Sequence, residues 1–220
     1  MSDDAVVYIV DDDEPLRKAL ERLIGSVGLT VETFATPAAF LAHPLPDRPT
    51  CVVLDLRMPG TSGLTVQEEL TRSGRVCPIL FLTGHADVPT SVRAMKAGAV
   101  DFIEKPFNDQ ALLDAVHRAL DRARELLASS RDRQAVERKL ETLTARERDV
   151  FGLVVAGLPN KRVADRLGAS EKTIKVHRAR VMAKMQAESL ADLVRMAHVA
   201  GLGGTGAAGD SARPAREDPR

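Results

Sequence analysis

Short apolar runs alternate along the first half of the chain with segments whose apolar positions recur at helical spacing. An uninterrupted apolar run of about four to eight residues is typical of a strand buried on both faces of a parallel sheet. Because parallel strands need crossover connections, the alternation predicts a doubly wound α/β fold. The predicted strands span residues 5–10, 30–34, 51–54, 78–82 and 99–104, and the helices that follow them begin near residues 15, 37, 64, 88 and 108.

The second half of the chain has a helical pattern throughout. Residues 112–140 are rich in Ala, Leu, Arg and Glu and contain no Pro or Gly, which predicts one long helix or two helices with a break at Ser129-Ser130. Thr144 and Glu147 have capping-box spacing at the start of a further helix. Three more helices are predicted at 160–167, 171–185 and 190–200. From residue 201 onward, Gly, Ala, Pro and charged residues replace the apolar periodicity and predict a disordered tail.

Charge divides the chain into two halves. Residues 1–120 contain 11 basic and 17 acidic residues, whereas residues 121–220 contain 20 basic and 14 acidic residues. This asymmetry favours one domain that handles cations and one that approaches a polyanion. With no apolar run near the length of a membrane span and no signal peptide, we expect a cytoplasmic protein without a membrane partner. Cys51 and Cys77 lie in or beside apolar runs and are predicted to be buried thiols.

Polar residues end four of the five predicted strands. The carboxyl ends of parallel strands meet at one edge of a sheet, where ligands bind. Three carboxylates at one edge would repel one another unless a divalent cation neutralised them, and hard oxygen ligands favour Mg²⁺. The residues concerned are Asp11 and Asp12, Asp55, Thr83 and Lys105.

Among these residues, Asp55 is predicted to be the nucleophile toward a phosphoryl group. Lys105 and Thr83 would stabilise charge on the phosphoryl oxygens. The neighbouring Asp13 and Glu14 are instead predicted to cap the first helix.

The segments that carry these residues resemble a known family. VDDDEP, VVLDLRMPG, LTGHADVP and GAVDFIEKPF are similar to the receiver domain of two-component response regulators, especially the FixJ-like subgroup, over about residues 5–120. The resemblance implies a flavodoxin-like fold, and it implies that Asp55 takes a phosphoryl group from a histidine of a sensor kinase. It also implies a cis Lys105-Pro106 bond and a switch formed by Thr83 and Phe102. The implied Mg²⁺ ligands are Asp11, Asp12, Asp55 and the Arg57 carbonyl.

A phosphatase of the haloacid dehalogenase type is a competing interpretation, because it also uses an Asp at the end of a strand. That family places a second Asp two residues after its nucleophile, and this chain has Arg57 there. We therefore predict that the protein is not an enzyme.

The basic half contains a helix-turn-helix pattern. Two predicted helices flank Gly168-Ala169, and residues 161–184 contain 8 basic and 2 acidic residues, which suits contact with DNA phosphates. The alternative is a solvated basic face on a small helical bundle.

The residue identities in this half are more specific than the helix-turn-helix pattern. The segment LTARERDVFGLVVAGLPNKRVADRLGASEKTIKVHRARVMAKM resembles the LuxR/NarL-type DNA-binding domain, and the resemblance covers about residues 140–201. The residues implied to face bases or nearby phosphates are Lys172, Thr173, Lys175 and Val176. Those implied to contact mostly phosphates are Lys161, His177, Arg180 and Lys184.

Together these features predict a receiver domain at 1–122, a helical linker at 123–139, a four-helix DNA-binding domain at 140–201 and a tail at 202–220. Phosphorylation of Asp55 by a sensor histidine kinase would drive receiver dimerisation and binding to double-stranded DNA. We expect the dimer to activate transcription with RNA polymerase as a partner. The alternative is a constitutive DNA-binding regulator whose receiver is a phosphorylation-independent interaction module.

Overall fold

The computed structural model describes residues 4–75, 77–84 and 88–202, which form two compact units divided between Ser129 and Ser130. Residues 203–220, which hold nearly all of the predicted tail, lie outside the described residues. None of the helices within the described ranges is long and apolar enough to cross a membrane.

The first unit is built on a five-stranded parallel sheet. Its strands are β1 (Val6–Val10), β2 (Thr30–Phe34), β3 (Thr50–Asp55), β6 (Ile79–Thr83) and β7 (Asp101–Glu104). They lie in the order β2-β1-β3-β6-β7. This order, with β2 at the edge and β1 next to it, is the flavodoxin-like arrangement and confirms the predicted fold. The helices are α1 (Glu14–Ser26), α2 (Pro37–Ala42), α3 (Gly63–Arg72), α4 (Val88–Lys96) and α5 (Asp109–Glu141).

The three central strands are buried at every position, which explains their uninterrupted apolar sequence. One face of the sheet packs against Leu20 and Ile24 of α1 and against Leu112, Val116 and Leu120 of α5. The other face packs against Phe40 of α2, Val66 and Leu70 of α3, and Ala94 of α4. Cys51 and Cys77 are both free and buried, as predicted.

The structure differs from the sequence prediction in two places and decides one alternative that the sequence left open. A small antiparallel hairpin, β4 (Arg57–Met58) and β5 (Thr61–Ser62), follows β3 and was not predicted, because two-residue strands carry no periodicity. Asp55 is the last residue of β3 instead of the first residue of a loop. Helix α5 runs without a break through Ser129 and Ser130, which decides between the two alternatives for this segment.

The second unit contains α6 (Ala145–Val155), α7 (Asn160–Leu167), α8 (Glu171–Met185) and α9 (Leu190–Val199), which confirms the predicted helical bundle. Thr144 and Glu147 form the predicted capping box of α6. Between α7 and α8, Gly168 has a positive φ of 61° that an L side chain rarely adopts, and Ser170 then caps α8. The core of this unit includes Val150, Val154, Val163, Ile174, Val181, Met185 and Leu193.

Candidate functional site

The polar ends of four neighbouring strands meet at the carboxyl edge of the sheet, as the sequence predicts. Asp11 directly follows β1, Asp55 ends β3 and Thr83 ends β6, and all three are buried. Lys105 directly follows β7. Parallel pairing with the register Asp55↔Leu82 and Thr83↔Glu104 aligns these ends.

Lys105 joins the two buried carboxylates. Its Nζ donates to Asp11 Oδ2 and to Asp55 Oδ1, each at 2.9 Å. Burial by itself would lower the pKa of Lys105, but the hydrogen bonds to both carboxylates outweigh it and raise that pKa. Burial raises the pKa of Asp55, and the bond from Lys105 opposes this. The peptide bond that follows, Lys105-Pro106, is cis as predicted.

The acidic cluster fits a hard divalent cation. Asp11, Asp12 and Asp55 each offer one carboxylate oxygen, and these oxygens lie within 4.8 Å of one another. Asp12 is exposed while the other two are buried, so the cluster opens to solvent on one side. A set of carboxylates with room for water is the environment that Mg²⁺ prefers. The Arg57 backbone N donates to Asp55 Oδ2 at 3.2 Å, which places Arg57 beside the cluster.

Asp13 does not join the cluster. Its side chain accepts a hydrogen bond from the backbone N of Leu16 at 3.1 Å and caps α1, as predicted. The adjacent Glu14 pairs with Lys18 one turn along the same helix. The triple aspartate is therefore divided between the acidic cluster and the helix start.

The proposed switch residues lie on neighbouring strands. Thr83 is buried at the end of β6. Phe102 of β7 is half-buried, and its ring centroid lies 6.0 Å from that of Phe81, its register partner on β6. Their part in switching remains a prediction.

Two contacts that hold this site in place were not predicted from the sequence. Arg17 of α1 donates from Nη1 to the backbone carbonyl of Asp11 at 2.6 Å. Gly63 begins α3 so close to β3 that an added Cβ would lie 2.6 Å from the carbonyl oxygen of Asp55. The only local signal was a glycine after Ser62, and that pattern alone does not distinguish close packing from a flexible turn.

The candidate nucleic-acid interface lies on α8. Ile174, Val181 and Met185 form its buried stripe, so the remaining faces point away from the core. Val176 is an exposed large apolar residue, with 47% of its surface accessible, on the same helix as several basic side chains. An apolar side chain at such a position can contact a thymine methyl group in the major groove. The exposed residues among those predicted to contact DNA are Lys161, Lys172, Thr173, Lys175, Val176 and Arg180.

Lys184 differs from the other residues predicted to contact DNA. Its Nζ donates to Glu147 Oε2 at 2.6 Å and to the carbonyl of Thr142 at 2.9 Å. Glu147 is only 3% exposed, and a buried carboxylate needs a partner cation. Lys184 therefore holds α8 against the start of α6, a role that the sequence prediction of a phosphate contact did not include.

His177 is half-buried on α8. Its Nδ1 is buried without a hydrogen-bond partner within the described parts of the chain. The neighbouring Arg178 donates to Asn160 Oδ1 at 3.1 Å and ties α8 to the start of α7.

Two family models match the chain. The response regulator receiver domain matches residues 7–117, and the luxR family of bacterial regulatory proteins matches residues 141–197. Nodulation protein W of Bradyrhizobium diazoefficiens is 48% identical over 198 residues, which cover 90% of this chain and 87% of that protein. The transcriptional regulatory protein FixJ of Rhizobium meliloti is 46% identical over 200 residues, which cover 91% of this chain and 98% of that protein.

Solved structures agree with these matches. The response regulator StyR superposes with a TM-score of 0.75 at 44% identity, over 88% of this chain and 98% of StyR. Full-length FixJ from B. japonicum superposes with a TM-score of 0.53 at 40% identity, over 90% of this chain and 98% of that chain. The receiver match contains the acidic cluster and Lys105, and the luxR match contains α8.

The close approach of α3 to Asp55 makes Gly63 sensitive to substitution. In Gly63→Ala the new methyl group would lie 2.6 Å from the Asp55 carbonyl and 3.0 Å from the Phe81 ring. Since backbone must shift to admit it, we expect a loss of about 1–3 kcal/mol in the free energy of unfolding, measured by urea denaturation of the full chain. Gly25→Ala in α1 is the matched control, because nothing lies within 4 Å of its added Cβ. Equal urea midpoints for the two variants would contradict the close packing.

The ion pair of Glu147 predicts a pH-dependent stability of the second unit. The hydrogen bonds from Lys184 and Thr144 lower the pKa of Glu147 from 4.5 to about 2. Because the folded pKa is the lower one, the pair contributes its full stability above pH 4.5 and loses it as the pH falls through about 2. We expect Glu147→Gln to speed hydrogen exchange of the α6 and α8 amides at neutral pH, with a difference from wild type that shrinks toward pH 2.

Glu141→Gln is the control for this experiment, because it makes the same chemical change at an exposed glutamate. Exchange protection is compared after correction for the intrinsic rate at each pH. A difference between Glu147→Gln and wild type that stays constant down to pH 2 would exclude a role for the charge.

Proposed function

The chain belongs to the two-component response regulators that combine a receiver domain with a LuxR-type DNA-binding domain, and from this premise we propose that phosphorylation of Asp55 switches it to a DNA-binding dimer. As a member of this family it is a transcriptional regulator. Its receiver domain implies a sensor kinase as the partner that supplies the phosphoryl group. Its LuxR-type domain implies DNA as the second binding partner.

The observation that carries the proposal is the Lys105 bridge between Asp11 and Asp55 at the edge of the sheet. A carboxylate oxygen of Asp55 attacks the phosphorus of a phosphorylated kinase histidine, the bond between phosphorus and the imidazole nitrogen breaks, and an acyl phosphate forms. Lys105 then transfers one of its hydrogen bonds from Asp55 to a phosphoryl oxygen, and Thr83 donates its hydroxyl to another. The site performs no turnover on a separate substrate.

The donor set supports Mg²⁺ as the cofactor of this step. Asp11, Asp12 and Asp55 would hold the ion together with the Arg57 carbonyl. When bound, Mg²⁺ offsets the negative charge of the carboxylates and of the incoming phosphoryl group. Lys105 supplies a further positive charge beside Asp11 and Asp55.

Helix α4 supports the dimerisation step of the proposal. Val88, Val92 and Met95 recur at i, i+4 and i+7 and are 74%, 46% and 45% exposed. An exposed apolar stripe of this kind marks an interaction surface. In the proposed switch Thr83 moves toward the phosphoryl group, Phe102 turns inward behind it, and α4, β7 and the start of α5 pair with a second receiver.

The exposed face of α8 supports the output step. A dimer brings two copies of α8 to the two halves of a two-fold DNA site, and linking two weak contacts raises their effective concentration. Lys175 and Val176 would face base edges in the major groove, while Lys161 and Arg180 would contact phosphates. The bound dimer would act on RNA polymerase as an activator.

Phosphorylation is tested with intact mass and sedimentation after treatment with Mg²⁺ and a small acyl phosphate. We expect the wild type to gain one phosphoryl group and dimerise, and Asp55→Asn to do neither, because the amide is not a nucleophile. A chelator should abolish uptake in the wild type. Asp13→Asn is the matched control, since Asn caps a helix as well as Asp and should leave uptake unchanged.

Three results would contradict parts of this proposal. Labelling of Asp55→Asn would exclude Asp55 as the acceptor. A phosphorylated wild type that stays monomeric at micromolar concentration would exclude the dimer step. If the unphosphorylated chain binds DNA as tightly as the phosphorylated one, the receiver is a phosphorylation-independent interaction module.

Salt-dependent binding tests the assignment of α8 residues. The affinity of the full chain for a random-sequence duplex is measured by fluorescence anisotropy at several salt concentrations. We expect Arg180→Ala to reduce the slope of log affinity against log salt by about 1, because one phosphate contact is lost. Lys184→Met, made together with Glu147→Gln so that no buried charge is left unpaired, should leave the slope unchanged. An equal reduction in both variants would show that Lys184 contacts a phosphate as well as Glu147.

A further inference from the structure

Helix α4 is held on the first unit by unusually little apolar packing. Ala94 is its one buried residue within the part of the helix that the structure describes, whereas Val88, Val92 and Met95 are exposed. An alanine side chain buries a single methyl group, which contributes far less than a buried Leu or Ile. The apolar contacts of α4 therefore contribute little to holding it in place.

A buried polar contact adds to this weak attachment. Gln67 lies in the middle of α3 and is only 3% exposed. Its Nε2 donates to the backbone carbonyl of Ala94 at 3.1 Å, and the same carbonyl also accepts the backbone N of Ala99 at 3.1 Å. Moving α4 away from α3 would leave a buried amide donor without a partner, which is costly. The contact fixes the carboxyl-terminal half of α4.

The same helix, α3, also contacts the phosphoacceptor strand. Gly63 packs its backbone against Asp55 and donates from its N to the carbonyl of Leu56 at 2.9 Å. Gly63 and Gln67 are four residues apart, so both lie on the same face of α3. One turn of rigid helix thus separates the backbone of the phosphoacceptor strand from the hydrogen bond that holds α4.

We propose that Gln67 is a positioning residue for the receiver switch, the pivot about which α4 turns. This inference rests on the proposed function, because it concerns how phosphorylation of Asp55 reaches the exposed stripe of α4. The bond to Ala94 keeps the carboxyl-terminal half of α4 fixed to α3, while the amino-terminal half, with Val88 and Val92, rotates. Without the pivot, α4 does not present its stripe in a single orientation, and phosphorylated chains pair weakly.

A second contact between α3 and α4 provides a matched control. Glu68 Oε1 accepts from Arg93 Nη2 at 2.9 Å, and both side chains are more than half exposed. An ion pair in water contributes little, because solvent screens it. Glu68→Gln therefore removes a contact between the same two helices from the residue adjacent to Gln67, without touching the buried hydrogen bond.

The experiment compares Gln67→Met with Glu68→Gln and wild type in the full chain. Methionine has a similar length and no hydrogen-bond donor. After treatment with Mg²⁺ and a small acyl phosphate, we expect all three proteins to take up one phosphoryl group at similar rates. The dimer dissociation constant of phosphorylated Gln67→Met, measured by sedimentation, should rise by about tenfold. The reason is that each of the two copies must order α4 for pairing without the buried hydrogen bond that held it in place. Glu68→Gln should stay within about twofold of wild type.

Hydrogen exchange separates the pivot from a general loss of stability. In unphosphorylated Gln67→Met the amides of α4 should exchange faster, while those of α3 and β3 keep the wild-type rate. Faster exchange throughout the first unit together with slower phosphoryl uptake would overturn the proposal in favour of a purely structural role. Tight dimerisation of phosphorylated Gln67→Met would overturn the pivot and leave the proposed function standing. A wild type that does not dimerise on phosphorylation would overturn both.

Discussion

The ion pair of Lys105 with two buried carboxylates is the constraint on which the first unit depends. A carboxylate out of water is costly unless a cation or donors lie beside it, and the chain keeps both Asp11 and Asp55 buried. The parallel sheet makes this possible, because it brings the ends of β1, β3 and β7 to one edge. The cation comes from the residue directly after β7, so the site is complete only when β1, β3, β6 and β7 have paired.

The second unit uses the same chemistry for a different purpose. Glu147 is also buried and also paired with a lysine, but the backbone and side chain of Thr144 complete its hydrogen bonds. The Thr142 carbonyl accepts a further hydrogen bond from the lysine, and the pair fixes α8 against α6. The pair at the sheet edge keeps the exposed Asp12 beside it and has room for a further ligand.

Helix α4 combines an exposed apolar stripe with a directional contact to its neighbour α3. Val88, Val92 and Met95 are exposed, and a hydrogen bond from the buried amide of Gln67 adds to the burial of Ala94. A hydrogen bond is directional, so it holds an orientation more strictly than the burial of one methyl group does. Because α3 also touches the backbone of Asp55, the acidic cluster and the exposed stripe both contact one helix.

The sequence alone determined the elements and the residues at the strand ends. Apolar periodicity and turn residues are local signals, so the five strands of the main sheet, the capping box at Thr144 and the turn at Gly168 could all be predicted. The meeting of Asp11, Asp55 and Lys105 followed from one further rule, that parallel strand ends share an edge. Resemblance to a known family added the roles that spacing alone left open.

Tertiary structure alone decided the contacts between residues far apart in the chain. The basic face of α8 suggested that Lys184 contacts DNA, but Glu147 lies 37 positions earlier and becomes its neighbour only when α6 packs on α8. The contact of Gln67 with Ala94, 27 positions away, could not be predicted either, nor could the shorter-range contacts of Gly63 with Asp55 and of Arg17 with Asp11. The physical reason is that a side chain's partner depends on which elements pack together, and no local pattern records that choice.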